Sequence, residues 1–167
     1  GIFKINNNIL LSFGTANIHI KKKKLIINEL NKILKDKKFS NYNFYLDKEY
    51  ALIMSENKIN NFKVFDYSKH MFSKMSLAII KPGFGIINNC LKFGIPICPI
   101  NIFFNNEFKQ NLEILKKKRL ILFQTSLKNL DINFKKNYRY KKLYPLFKRY
   151  KSLKWFGERE IVKILSR

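Results

Sequence analysis

Residues 79–100, IIKPGFGIINNCLKFGIPICPI, place two short apolar runs on either side of a glycine loop and a helical segment. The loop is Pro82-Gly83-Phe84-Gly85, and the helical segment runs from about Ile86 to Lys92. Gly94 follows it, as is typical of a residue just past a helix C-terminus. A strand, a glycine loop, a helix and a second strand in this order predict one unit of a parallel sheet.

The same alternation extends through the first three quarters of the chain. Because strands and helices alternate in short units, the predicted fold class is α/β: a Rossmann-like, doubly wound parallel sheet with helices on both faces. Apolar residues at helical spacing predict one helix after the first strand and another over 106–118. The predicted strands are residues 9–13, 43–47, 62–66, 76–80, 95–100 and 119–123.

A chain of 167 residues fits one domain with a hydrophobic core, so residues 1–167 are predicted to form a single domain. Residues 125–167 are predicted to be a helical, basic and aromatic extension that includes a short amphipathic helix at 157–165. The apolar runs are too short to span a bilayer, and the N-terminus has no signal-peptide pattern. Cys90 and Cys98 lack the spacing of a zinc site and are predicted to be reduced, packed thiols of a cytoplasmic protein.

The formal net charge is +23, from 34 Lys and Arg against 11 Asp and Glu. Such a charge favours anionic partners, but a lysine-, asparagine- and isoleucine-rich chain is also what an AT-rich genome encodes. The basic and aromatic stretch 134–156 suits single-stranded nucleic acid or an anionic membrane surface. It equally suits a helix that packs its aromatic residues on the sheet, and these interpretations stay open.

Two loops are predicted to leave the carboxyl end of a strand and enter a helix with glycine: residues 12–16 and 82–86. Ligands of open parallel sheets bind beyond the carboxyl ends of the strands, and glycine lets the backbone approach an anion at a helix N-terminus. Two such loops would suit a diphosphate, with Lys81 as a phosphate partner. Neither loop is a complete dinucleotide fingerprint, since Asn88 stands at the third glycine position, and a tight structural turn is the alternative for each.

The order of these pieces resembles the donor-binding C-terminal domain of GT-B glycosyltransferases, particularly the peptidoglycan N-acetylglucosaminyl transferase and the plant-type galactolipid synthases. Those enzymes read approximately A-D-L-V-I-x-x-P-G-G-x-T-x-x-E-A-L-x-x-G-K-P-x-I-x-V-P. The segment from Met75 to Pro99 follows this frame, Glu107 to Leu115 is similar to a second family segment, and ILLSFGTAN resembles the first strand and its glycine loop. Phe108 and Ser76 depart from the family pattern, which has Gln and Asp at these positions.

The resemblance implies a glycosyltransferase that transfers a sugar from a nucleoside diphosphate sugar, with a UDP-sugar as the first expectation and no metal or other cofactor. The loop of Gly14 and Thr15 would face the diphosphate or the acceptor. Asn89 stands where the family has a ribose-binding Glu, and Glu107 would contact the donor sugar. The full set of expected substrate-binding residues is Gly14, Thr15, Lys81, Pro82, Gly83, Phe84, Gly85, Ile86, Asn89, Glu107 and Asn111.

GT-B enzymes pair two Rossmann-like domains, so a chain of this length is expected to be one half, with an N-terminal acceptor domain upstream or on a separate chain. The catalytic base is expected on that other domain. An anionic membrane surface is a candidate partner, with the protein at the inner face of the membrane. The alternatives are a nucleotide-sugar hydrolase of the same architecture, a basic nucleic-acid-binding module, which is less expected, and a domain that kept the fold and lost its ligand.

Overall fold

The computed structural model describes residues 6–14, 20–100, 106–122 and 140–152. Five parallel strands form one sheet in the order β3-β2-β1-β4-β5. The strands are β1 (Asn8–Ser12), β2 (Asn43–Asp47), β3 (Phe62–Phe65), β4 (Leu77–Ile80) and β5 (Ile97–Pro99). The α-helices are α1 (Ile20–Lys35), α2 (Lys48–Glu56), α3 (Lys69–Ser73), α4 (Phe84–Lys92), α5 (Asn106–Lys117) and α6 (Tyr140–Ser152), with a 3-10 turn at Lys37–Phe39.

Helices cover both faces of the sheet, which confirms the predicted doubly wound α/β fold. Successive side chains of a strand point to opposite faces, so β1 divides its residues between two cores. Ile9 and Leu11 pack in the core that includes α1 and α2. Leu10 packs in the opposite core, which includes α3, α4 and α5. The apolar runs of the sequence are therefore strands that are buried on both faces.

Four elements differ from the sequence-based prediction. Helices α2 and α3 were not predicted, and each follows directly or closely after a strand. The strand predicted at 119–123 is wrong over its described part: Ile121 forms a single parallel bridge with Ile97, because the chain turns at Arg119 with a φ of 55°. Helix α4 begins at Phe84, two residues before the predicted start. The helix predicted at 157–165 lies outside the described residues.

Helix α6 packs over the outer edge of β5. Leu143 belongs to one core and Leu146 and Tyr150 to the other, so this helix crosses from face to face. The Tyr150 hydroxyl accepts a hydrogen bond from the backbone N–H of Ile97 at 3.3 Å and donates one to the carbonyl of Leu120. At Ile97, the outer edge of β5 is thus paired with the Tyr150 hydroxyl through its N–H group and with the backbone N–H of Leu122, at 2.8 Å, through its carbonyl.

Gly94 turns the chain from α4 into β5 directly under α6. Its φ is +69°, and an added Cβ would lie 3.3 Å from the ring of Phe147 on α6. A larger residue would therefore strain the turn and push against that helix. Cys90 and Cys98 are buried free thiols beside this region, and burial raises the pKa of both.

Candidate functional site

A cleft of about 400 Å³ lies at the carboxyl edge of the sheet. This edge is where parallel α/β sheets bind ligands, because the strand ends and the helix N-termini meet there. The cleft is bordered by the ends of β1 and β4, the segment after β3, and the first turns of α4 and α5. Its lining residues are Ser12, Gly14, Tyr67, Lys81, Gly83, Gly85, Ile86 and Phe108.

The loop after β1 is held by a carboxylate from the end of β2. One oxygen of Asp47, Oδ2, accepts hydrogen bonds from the backbone N–H groups of Phe13 at 2.6 Å and Gly14 at 3.0 Å. Asp47 is 1% exposed, and its bond to Phe13 is buried while its bond to Gly14 is partly buried. Gly14 has a φ of +71°, a left-handed conformation that glycine adopts without strain. A protein carboxylate therefore occupies the anion position of this loop.

Tyr67 completes the network around Asp47. Its hydroxyl donates to Oδ1 of Asp47 and lies 2.9 Å from Oγ of Ser12. Tyr67 has a φ of 59°, which is uncommon for a residue other than glycine. Desolvation and the nearby Asp47 carboxylate raise its pKa, so the phenol stays protonated and acts as a donor. The network ties together the carboxyl ends of β1 and β2 and the segment after β3.

No protein carboxylate of the described residues binds the N–H groups of the loop after β4 in this way. Gly83 is the N-cap of α4, and no side chain of the described residues caps it. The first N–H groups of an α-helix have no partner within the helix, and its dipole is positive at this end. An added Cβ at Gly85 would meet no atom of the described residues within 4 Å, so there is open space beside the first turn. This turn can accept an anion.

Lys81 lies between the two loops and is 6% exposed. Its Nζ atom would be 2.9 Å from a Cβ on Gly14, and it sits 4.9 Å from the ring centroid of Phe108. Desolvation lowers the pKa of Lys81, while Asp47 and Glu107 act in the opposite direction. The cleft thus holds a cation beside the N-terminus of α4, where both favour negative charge in a ligand.

Helix α5 closes the side of the cleft near α4. The amide Nδ2 of Asn111 donates a hydrogen bond to the carbonyl of Pro82 at 3.0 Å, which fixes α5 against the loop. Phe108 lies one turn earlier, and its Cε1 atom would be 3.7 Å from a Cβ on Gly83. Glu107 is exposed and does not line the cleft.

Most of the residues expected from the sequence lie in or beside this cleft. Five line it, while Pro82 and Asn111 form the wall behind the loop and Phe84 is exposed next to it. Asn89 is half-buried on α4 outside the lining, and Thr15 lies outside the described residues. The expected residues that line the cleft are Gly14, Lys81, Gly83, Gly85 and Ile86.

Two functional residues were missed by sequence reasoning, Asp47 and Tyr67. A signal for Asp47 was present, since an acidic residue ends an apolar strand and must therefore lie at the ligand-binding edge of the sheet. Tyr67 had no comparable signal, because its unusual backbone conformation is visible only in the structure. Of the two histidines, His70 is exposed on α3 and His19 lies outside the described residues.

A second cavity of about 390 Å³ lies at the opposite, amino edge of the sheet. Its lining includes the starts of β2 and β3 and exposed side chains such as Lys35 and Lys63. Among the described residues, its lining contains no glycine and no α-helix N-terminus, and the 3-10 turn that borders it is capped by the Asp36 side chain. The geometry for anion binding is therefore found at the carboxyl edge.

Within residues 6–14, 20–100, 106–122 and 140–152, no three His, Cys, Asp or Glu side chains are grouped as metal ligands would be. No helix in the described part of the chain is both long and apolar enough to cross a membrane.

The fold is similar to those of two solved glycosyltransferases. The glycosyltransferase SnogD from Streptomyces nogalater matches with a TM-score of 0.59 and 15% identity over 97% of this chain. Arabidopsis thaliana UGT89C1, solved in complex with quercetin, matches with a TM-score of 0.60 and 13% identity over 99% of this chain. The matches cover 40% and 43% of those proteins, so the chain spans about two fifths of their length. At the level of sequence, no family model and no curated protein matches.

These similarities show a Rossmann-like α/β fold of the kind found in GT-B glycosyltransferases. At these identities they show the fold alone. The peptidoglycan and galactolipid enzymes that the sequence resembles are not distinguished by them from other GT-B enzymes.

Proposed function

We propose that this chain is the nucleotide-sugar-binding half of a GT-B-type glycosyltransferase. The observation that carries the proposal is the uncapped first turn of α4 with Lys81 buried beside it, at the carboxyl edge of a sheet with the glycosyltransferase fold. A nucleoside diphosphate matches this site in charge, because backbone N–H groups and an ammonium group both favour phosphate oxygens.

The first turn of α4 would bind the donor diphosphate through the N–H groups of Phe84, Gly85 and Ile86. As the glycosidic bond to the donor breaks, negative charge develops on the leaving diphosphate. Fixed N–H dipoles and the Lys81 ammonium would stabilise that charge more in the transition state than in the ground state. The described residues supply this electrostatic part of the reaction, and the acceptor and its base belong to the proposed partner domain.

The finer assignments are part of the same proposal. The donor is a UDP-sugar, Asn89 binds near the ribose, Glu107 contacts the sugar and Thr15 lies at the diphosphate. The acceptor domain lies upstream in the same protein or on a separate chain. Within the GT-B enzymes, this chain is related to the peptidoglycan and galactolipid enzymes. An anionic membrane at the cytoplasmic face would bring the protein to a lipid acceptor. The single domain over 1–167 is the unit that binds the donor.

Binding to the folded state tests the proposal. The melting temperature of the purified protein is measured with UDP, GDP, CMP and dTDP, and ligand at 100 times its dissociation constant stabilises by about 2.7 kcal/mol. Lys81→Met, with an affinity about tenfold lower, should reduce this stabilisation to about 1.4 kcal/mol. Lys92→Met, on the exposed C-terminal turn of α4, is the matched control and should keep it. No shift with any of these compounds at millimolar concentration would overturn the proposal.

The net charge of +23 favours a second candidate, a nucleic-acid-binding module. Filter binding of single-stranded RNA and DNA over a salt series separates the two, because phosphate contacts make affinity fall steeply with salt. Tight, salt-dependent binding without nucleotide affinity would select this candidate. A nucleotide-sugar hydrolase remains the third, and it would release free sugar with water in place of an acceptor.

A further inference from the structure

The cavity at the amino edge of the sheet, the amino-edge cavity, is lined by aromatic side chains. Phe39 and Phe44 are buried and Tyr42 is half-buried, and the centroids of these three rings lie 6.3 or 6.4 Å from one another. Phe44 is the register partner of Phe62 across β2 and β3, so both side chains lie on the same face of the sheet. Tyr42 and Phe62 therefore present partly accessible rings to the cavity, and every residue of its lining belongs to the described part of the chain.

Two lysines give the same cavity positive charge. Lys35 at the end of α1 and Lys37 in the 3-10 turn are exposed and line it. The Asp36 carboxylate between them is engaged with Lys38: one oxygen accepts the backbone N–H of Lys38 at 2.9 Å, and the other lies 3.7 Å from its Nζ atom. Lys35 and Lys37 form no ion pair with the described residues, so their charges favour an anionic ligand group.

Side-chain amides are the third kind of group in the lining. Asn43, Asn60 and Asn61 are exposed and border the cavity. Nδ2 of Asn43 donates to Oδ1 of Asn8 at 3.0 Å, and Nδ2 of Asn61 donates to the carbonyl of Leu34 at 3.1 Å. These bonds orient the two amides and leave each with a carbonyl oxygen and a second N–H group for a ligand.

This combination distinguishes between classes of anionic partner. The carboxyl-edge cleft can accept an anion at a helix N-terminus, whereas the amino-edge cavity offers side chains. Membrane-binding helices insert their apolar residues into the bilayer, but these rings are recessed in a cavity of about 390 Å³. An unstacked base of a single strand uses all three kinds of group, because it stacks on a ring, bonds to amides at its edge and is flanked by phosphates.

We propose that the amino-edge cavity binds a nucleotide of single-stranded nucleic acid. The base lies against Tyr42 and Phe62, and its flanking phosphates meet Lys35 and Lys37. This site is at the edge of the sheet opposite the proposed donor cleft, and it does not depend on the proposed function. The net charge of +23 attracts a strand to the whole surface, and the recessed rings determine where a base is held.

Fluorescence anisotropy of a labelled oligouridylate of about twelve nucleotides, titrated with the purified protein, tests the role of the rings. Tyr42→Leu keeps an apolar side chain but removes the stacking surface, so the affinity should fall at least about fivefold. Tyr144→Leu, at a half-buried tyrosine of the basic and aromatic helix α6, is the matched control and should keep the wild-type affinity. Urea denaturation of both variants verifies that they are folded.

A salt series tests the lysines without touching the core. The double variant Lys35→Gln, Lys37→Gln removes two phosphate contacts, so the slope of log affinity against log salt should become shallower by about 1.4. Lys48→Gln, Lys69→Gln removes the same charge from exposed positions at the starts of α2 and α3, and it should leave the slope nearly unchanged.

Absence of oligouridylate binding, or either cavity variant behaving like its control, would overturn the proposal. Equally tight binding of polyglutamate or of UMP would also overturn it, since the partner would then be an acidic peptide or a free nucleotide. Millimolar UDP at constant ionic strength should not displace the oligouridylate, and displacement would place the strand in the carboxyl-edge cleft. The thermal-shift measurements with nucleotides test the proposed function separately, so either proposal can fail alone.

Discussion

Two glycine loops lie side by side at the carboxyl edge of the sheet, and they differ in what their backbone N–H groups bind. They follow β1 and β4, neighbouring strands in which Ser12 pairs with Ile80. In the first loop, the N–H groups bind the Asp47 carboxylate. In the second, the first turn of α4 has no side-chain cap. Within the described residues, the same local signal thus precedes N–H groups that bind a distant carboxylate after β1 and a helix N-terminus without a side-chain cap after β4.

The largest expected effect comes from removing the carboxylate that closes the first loop. Asp47→Ala would leave the buried N–H groups of Phe13 and Gly14 and the hydroxyl of Tyr67 without their acceptor. We expect a loss of about 3 kcal/mol in the free energy of unfolding, measured by urea denaturation. Asp66→Ala, an exposed acid after β3, is the control and should cost less than about 1 kcal/mol. Equal losses in the two variants would show that Asp47 does not hold the loop.

The second effect tests the backbone conformation of the first loop. Gly14→Ala places a side chain at a φ of +71° and puts its Cβ 2.9 Å from Lys81 Nζ. We expect a loss of about 1–2 kcal/mol, most of it from the left-handed conformation. Gly83→Ala, at a φ of −77° with its nearest contact at 3.7 Å, should lose less. Equal losses of stability in the two variants would show that the left-handed conformation at Gly14 is not what distinguishes the two loops.

The third effect separates binding from folding at the second loop. Lys81→Met replaces a buried lysine with an uncharged side chain of similar length, so the urea midpoint should not fall appreciably. The affinity for a nucleoside diphosphate should fall about tenfold, since a hydrogen bond to a charged group is lost. Titration calorimetry and urea denaturation of the same sample measure both. A large loss of stability with unchanged affinity would make Lys81 a structural residue.

The smallest expected effect is a gain in the free energy of unfolding, where the other changes cause a loss or none. Gly85→Ala adds a methyl group where no atom lies within 4 Å, inside a helix in which alanine is favoured over glycine. We expect a gain of about 0.5–1 kcal/mol in the free energy of unfolding. The same methyl group projects toward the cleft and should weaken nucleotide binding. A thermal scan with and without nucleotide measures the two effects, and tighter nucleotide binding in this variant would place the anion elsewhere.

The architecture could be predicted because it depends on local signals. The apolar runs of β1, β2 and β4 alternate with helical periodicity, and this is enough to specify a parallel sheet with two covered faces. Helix α2 escaped prediction because it is nine residues long and begins at the residue after β2. The run 119–123 is apolar enough for a strand, but the turn at Arg119 allows only one bridge over its described part, between Ile121 and Ile97.

Of the candidate site, only the glycine-containing loops could be predicted from the sequence. The loop of Gly83 and Gly85 was found from composition and order, and it lines the cleft. The role of Asp47 depends on contacts with residues 33 and 34 positions earlier in the chain, and no local pattern encodes such a pairing. The orientation of Phe108 toward Lys81 is likewise a product of how α5 packs. Sequence reasoning therefore located the ligand edge and missed what distinguishes its two loops.

The hydroxyl of Tyr150 has a consequence for the synthesis of this protein. It covers the edge of β5 at Ile97, 53 residues earlier in the chain. A ribosome therefore synthesises β5 before Ile121, Leu122 and Tyr150, which bond to its outer edge, and the nascent sheet has an exposed edge until they follow. Exposed strand edges pair with one another. Products of translation that stop between Ile100 and Ile121 are expected to aggregate even though the five described strands have been made.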